Sequence, residues 1–230
     1  MKYKKININK KIRKYILTCF SLLLTFCLIS LFEMCSTLFS GKEIPSIIEF
    51  IGFKFLNHFL TILFIFLIFL PIYYLLAKKK KKLPLRVIKI IFTILVIIEF
   101  SLTKYSLTTL LNLGADLLGY SFDDIYLTVT ASESTSVFYF ITFLIFPILF
   151  LVSCFFLKKT TFFKYSGRIF MITTLVVIVL KFTFSNFSKE EYQNKTYYFV
   201  TDVIELQIEK SEVNSIKMDG NNEYPFLKPS

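Results

Sequence analysis

The sequence predicts an all-α integral membrane protein: five transmembrane helices, N-terminus inside and C-terminus outside, with amphipathic helices at the interface. Three observations carry this. The 230 residues are 55% hydrophobic and 18% aromatic but only 19% charged, whereas soluble domains run about 45–50% apolar and about 25% charged. The apolar residues gather into five runs, each near the roughly 20 residues that a helix needs to cross a hydrocarbon core of about 30 Å. The formal net charge of +11 comes from basic residues clustered between those runs. A basic nucleic-acid-binding face would not be divided in this way, so no nucleic-acid partner is expected.

The first helix is expected over residues 15–35. A basic start precedes it, as in a signal peptide, but its apolar stretch exceeds the usual 7–15 or so residues and no small-x-small cleavage site follows. It therefore reads as a retained helix. The second spans residues 57–77, and Lys78–Lys82 behind it reads as a topology determinant rather than a lipid headgroup site. The third covers residues 85–111. The fourth covers residues 137–157 and carries Pro147 in its interior, where a missing N–H predicts a kink that neighbouring helices must re-satisfy. The fifth covers residues 169–187. No internal repeat is visible, which counts against a repeat-built transporter.

Charge orients these helices. Seven of the 27 basic residues precede the first helix, seven lie between Lys78 and Lys89, and four lie between Lys158 and Arg168. Those stretches contain no Asp or Glu, while fifteen of the 16 acids lie on the opposite side or at its edge. The positive-inside rule makes the N-terminus cytoplasmic, and five crossings put residues 188–230 outside. The domain reading is thus a five-helix membrane domain over 1–187, with an outer loop at 113–136, followed by an extracytoplasmic tail at 188–230.

Cys19, Cys27, Cys35 and Cys154 show no C-x-x-C spacing and His58 is the single histidine, so no self-contained metal site is expected in this chain. The cysteines read as small hydrophobic filler. Asn186-Phe-Ser188 and Asn194-Lys-Thr196 fit the glycosylation pattern. That pattern is common by chance, and the Lys, Ile, Asn and Phe bias looks bacterial, so neither carries weight.

Ionisable residues at membrane depth are functional candidates by default. Glu99 and Lys181 each lie 13 residues beyond an inner arginine, Arg86 and Arg168 respectively, which places both about 20 Å up their helices. The favoured reading is a structural intramembrane pair joining the third helix to the fifth. The alternatives are a polar cavity opening outward, or Glu99 paired with Lys104 one turn above.

The outer loop reads LGADLLGYSFDDIYLTVTASESTS, with four acids and no basic residue. The spacing of its apolar residues suits a short amphipathic helix lying in the interface. Glu133 would then stand at headgroup level with Thr130 and Ser132 as supporting hydroxyls, able to hold a lipid head group by charge-assisted hydrogen bonds. An interfacial solvated acid is the competing reading. In the tail, Phe199, Val203 and Leu206 recur at i, i+4, i+7 with Val200 and Ile204 beside them, predicting one amphipathic surface helix. Beyond it, Asp219-Gly220-Asn221-Asn222, Pro225 and Pro229 break regular structure.

Five helices, an inner N-terminus, a long outer loop after the third helix and an outer tail resemble the N-terminal membrane domain of bacterial phosphoethanolamine transferases, of the alkaline-phosphatase and sulfatase superfamily. That family carries a pattern near Thr-Asn-x-x-Glu before its fourth helix. The matching stretch is Val129-Thr130-Ala131-Ser132-Glu133, where the Glu agrees and the Thr and Asn do not. Lipoteichoic acid synthase-like phosphoglycerol transferases are similar almost as closely, and YPFLKPS looks like the linker before their outer enzyme domain.

The resemblance implies a bacterial cytoplasmic (inner) membrane protein acting in the cell envelope. It would move phosphoethanolamine, or phosphoglycerol, from a phosphatidylethanolamine-like donor phospholipid to an outer-leaflet glycolipid, as in lipid A modification. The family's Thr nucleophile and Zn ligands belong to an extracytoplasmic catalytic domain absent from this chain. What is expected here is the membrane anchor and lipid-docking half, with the catalytic domain its own or separate. The alternative class is a stand-alone accessory or assembly protein without enzymatic function; a channel or transporter comes third.

Overall fold

In a computed structural model of the chain, the structure describes residues 2–41, 46–79, 83–109, 111–119, 121, 123, 137–159, 162–184 and 189–218. Helix is the only regular structure among them. Six α-helices run in order: α1 (Lys2–Phe39), α2 (Ile47–Lys79), α3 (Leu83–Thr109), α4 (Val137–Lys159), α5 (Phe162–Thr183) and α6 (Lys195–Met218). Short 3-10 turns occupy Ala115–Gly119 and Glu190–Tyr192.

The topology is a ring around a post. α1 packs against α2, α3, α4 and α5, and these four close on one another in the order α2, α3, α4, α5 and back to α2. Composition explains why α1 takes the centre. Tyr15, Cys19, Leu22, Phe26 and Ile29 form one buried stripe at helical spacing. Between them stand Thr18, Ser21 and Thr25, which are small enough for neighbouring backbones to approach closely. Their hydroxyls donate to the carbonyls of Lys14, Leu17 and Ser21 at 2.9, 3.0 and 2.9 Å. This back-bonding satisfies the hydroxyl protons within α1 itself.

The end of the bundle where α1 starts and α2 finishes is filled by aromatic rings. Tyr15 stacks on Phe66 and Tyr73 at 5.1 and 4.8 Å between centroids, and its hydroxyl donates to the Phe66 carbonyl at 3.0 Å. The outward faces are apolar: Ile68 is 62% exposed on α2, Leu144 63% on α4 and Leu175 66% on α5. Among the described residues, three helical stretches are long and apolar enough to cross a membrane: Ile12–Phe39, Ile47–Ala77 and Tyr165–Thr183.

A helix occupies each of the five expected positions, with two informative shifts. α2 begins at Ile47 rather than near residue 57, because the added turns carry Lys54, whose charge is paired with α1 instead of ending the helix. α5 begins at Phe162 and ends at Thr183, earlier at both ends than the expected 169–187. α4 continues through Pro147 and α2 through Pro71. In the outer loop the described part is the 3-10 turn Ala115–Gly119, so the amphipathic helix expected across 113–136 is not tested beyond it.

α6 is the amphipathic helix expected in the tail. Phe199, Val203 and Leu206 are half-buried, while Val200 and Ile204 are 47% and 51% exposed. The 111–119 segment is tied to it at Gly114, where a Cβ would fall on the carboxylate of Asp202. That carboxylate accepts the Ala115 N–H at 2.5 Å. Glycine is needed here for close approach rather than for backbone freedom.

Candidate functional site

The opposite end of the bundle, where α1 and α3 finish and α2 begins, is polar inside. Call it the upper end. Glu33 on α1, Lys54 and His58 on α2, Glu99 on α3, and Asn194, Lys195 and Thr196 at the root of α6 are all less than 9% exposed. α6 therefore does not merely lie on the surface. Its first turn is inserted into the upper end of the ring.

Glu99 holds that turn. One carboxylate oxygen accepts the Lys195 N–H at 3.2 Å, and the other accepts the Thr196 N–H and Thr196 hydroxyl at 2.8 and 2.7 Å. The first backbone N–H groups of a helix have no partner inside it, and its N-terminus is its positive end. A carboxylate from another helix satisfies both needs. Within α6, Asn194 is the N-cap, its Oδ1 accepting the Tyr197 N–H at 2.9 Å.

The cap decides the state of His58. With Oδ1 committed to Tyr197, the Asn194 amide nitrogen faces His58 Nδ1 at 2.9 Å and donates to it. Nδ1 is then the acceptor, and the ring proton sits on Nε2, which donates to Ser30 Oγ at 2.5 Å. A serine beside a histidine invites a nucleophile–base reading. Here the histidine nitrogen facing Ser30 already carries a proton and cannot take another from the hydroxyl, so Ser30 is not activated.

A second link runs through lysines. Lys54 Nζ donates to Glu33 Oε2 at 2.7 Å, and Lys195 Nζ lies 3.4 Å from Glu33 Oε1. Lys195 Nζ also donates to Asn112 Oδ1 at 2.6 Å, and the Asn112 amide donates to the Glu190 carbonyl at 3.3 Å. Burial and the nearby Lys54 charge pull the Lys195 ammonium below the ordinary lysine range, with Glu33 and Glu99 pushing back. Two carboxylates thus face two ammonium groups, a balanced set that low dielectric requires. No buried side-chain nitrogen or oxygen among the described residues lacks a partner. Chemically, the arrangement is a latch that clamps the root of α6.

The expected pairing of Glu99 with Lys181 is corrected. Glu33 forms ion pairs with Lys54 and Lys195, and Glu99 binds α6 instead. The reason is topological: α3 and α5 stand on opposite sides of α1, so equal depth does not bring their side chains together. Lys181 lines a separate cleft with Asn57, Thr61 and Tyr197. Glu133, Thr130 and Ser132 lie outside the described residues.

Sequence reasoning passed over Glu33, Lys54, His58 and Asn194. A signal was present: Glu33 and Lys54 are single charges in otherwise apolar runs, and Lys54 with His58 is an i, i+4 pair on one face. Asn194, set aside with the glycosylation pattern, precedes a helical run as an N-cap should. Among the described residues no three His, Cys, Asp or Glu side chains gather as metal ligands. No protein-family model, curated protein or solved structure matches the chain.

Asn194→Ala removes the cap and leaves His58 Nδ1 without a donor. The expected loss is about 2–4 kcal/mol, from the cap and one buried unsatisfied group together. Asn194→Asp keeps the cap oxygen and should lose less. Denaturation by SDS titration in mixed micelles reads both; a loss under about 1 kcal/mol for alanine would show that the cap is not holding α6.

Proposed function

We propose that the chain is a bacterial inner-membrane anchor that crosses five times, with its N-terminus inside and its tail outside, and that its latch fixes the position of an extracytoplasmic segment. In the fuller form of this reading it is the anchor and lipid-docking half of a phosphoethanolamine (or phosphoglycerol) transferase. A donor phospholipid would dock near Glu133, Thr130 and Ser132. Transfer to an outer-leaflet glycolipid, releasing diacylglycerol, would take place in a catalytic domain of its own or another chain, where Zn is expected.

The observation that carries the anchoring function is the clamped root of α6. A flexible tether needs no buried charge set, whereas a device that holds something at a fixed height and angle above the membrane does. Support for five crossings comes from a 38-residue post ringed by four helices of 22 to 33 residues, and from basic clusters confined to the connections at one end. The same latch favours a second reading, a stand-alone accessory protein, because its polar groups are spent on one another.

Topology is tested first. In a chain freed of Cys19, Cys27, Cys35 and Cys154, a membrane-impermeant maleimide applied to whole spheroplasts should label Lys210→Cys and spare Lys5→Cys and Lys164→Cys. Labelling at residue 164 would sink the five-crossing orientation. Mass spectrometry of envelope glycolipids from cells with and without the protein then separates the two readings. Loss of a phosphoethanolamine or phosphoglycerol increment supports the transferase half. Unchanged glycolipids, with a co-purifying protein lost on deleting residues 195–218, support the accessory protein.

A further inference from the structure

Beside the latch, between α2, α5 and the root of α6, lies an open cavity of about 110 Å³. A single ordered water needs only about 10–15 Å³ on this measure, so the space takes a group of several heavy atoms. Its polar wall is Lys181, Asn57, Thr61, Gln193 and Tyr197, and its apolar floor is Leu60 and Phe64. The Tyr197 ring stacks on Phe64 at 6.0 Å and 20°, joining α6 to α2 along one side.

Two features select the occupant. The cleft has one cation and no carboxylate, and no ion pair is formed by Lys181 among the described residues. An ammonium at a membrane interface beside amide and hydroxyl groups recognises an anion with several acceptor oxygens. The second feature lies below the cleft. Phe64, Leu67 and Ile68 are 47%, 54% and 62% exposed and continue down the outward face of α2, a surface that an acyl chain can cover.

We propose that this cleft binds the phosphate of a net-anionic phospholipid of the phosphatidylglycerol type, with Lys181 as the anion contact and its acyl chain along α2. The site rests on the five-crossing reading; because α5 ends at Thr183, two residues beyond Lys181, that reading now brings Lys181 nearer the outer head groups than the count from Arg168 did. It is separate from the Glu133 loop and needs no transferase activity. Lacking an acid, the cleft offers nothing to the ammonium of a zwitterionic head group, so net-anionic lipids are preferred.

Native mass spectrometry of the full chain in mild detergent tests this, with phosphatidylglycerol, phosphatidylcholine and inorganic phosphate as separate probes. One phosphatidylglycerol per chain should be retained over phosphatidylcholine by about tenfold, the size of one charge-assisted contact. Lys181→Gln should abolish that preference and Lys181→Arg should keep it; Lys181 is exposed, so both variants should fold. Wild-type preference in Lys181→Gln overturns the proposal. Lys181-dependent binding of inorganic phosphate with no lipid preference assigns a free-phosphate site and overturns the lipid assignment. Spheroplast labelling that reverses the orientation, with phosphatidylglycerol still retained by the chain carrying Lys181, would leave the site standing and refute the orientation.

Discussion

Glu33→Gln is expected to lower the unfolding free energy by about 3–5 kcal/mol, the cost of breaking a buried ion pair from one side. Glu33 sits between two buried ammonium groups, 2.7 Å from Lys54 Nζ and 3.4 Å from Lys195 Nζ. Without its charge, both lysines face only Glu99, whose oxygens are already occupied by the backbone and hydroxyl of α6. Adding Lys54→Met should recover much of the loss, because one acid and one base again remain. SDS-titration free energies for the two single variants and the double variant make a thermodynamic cycle. Additive losses would show that the two groups do not interact and that the charge balance of the cluster is irrelevant to folding.

Glu99→Ala is expected to cost about 4 kcal/mol, since it strands two backbone N–H groups and one hydroxyl in a buried place, at roughly 1–3 kcal/mol for each group left unsatisfied, less whatever relaxation regains. The effect should be local first. Hydrogen exchange of the amides in 195–218 should accelerate strongly, while those in the buried stripe of α1 hold their protection. Glu99→Gln keeps one acceptor oxygen and should fall between alanine and the native residue. Unchanged exchange in α6 with Glu99→Ala would mean that the tail is held by its apolar contacts alone and that the latch is not one.

Much of the fold was legible because hydropathy and charge clustering are properties of neighbouring residues. Five apolar runs gave five helices, and the stripe of Phe199, Val203 and Leu206 gave α6. The boundaries failed where a charge was compensated at a distance. Lys54 looked like the approach to a helix, but Glu33, 21 positions away in the chain, allows it to be buried inside one. The same blindness governed the site. Glu99 was singled out as a charge at depth and is buried, but its partner was sought at equal depth in Lys181.

By itself the sequence determined that the chain forms apolar helices of membrane length, where they lie, and which connections are basic, because each follows from the local cost of exposing or burying a residue. Only the tertiary structure decided that α1 is the post, that α3 and α5 stand apart across it, and that the first turn of α6 enters the ring. Depth along a helix can be counted from residue numbers, but the direction a side chain faces and the helix opposite it cannot. For a buried charge those two unknowns decide everything, since its cost in low dielectric is met only by a partner at hydrogen-bond distance.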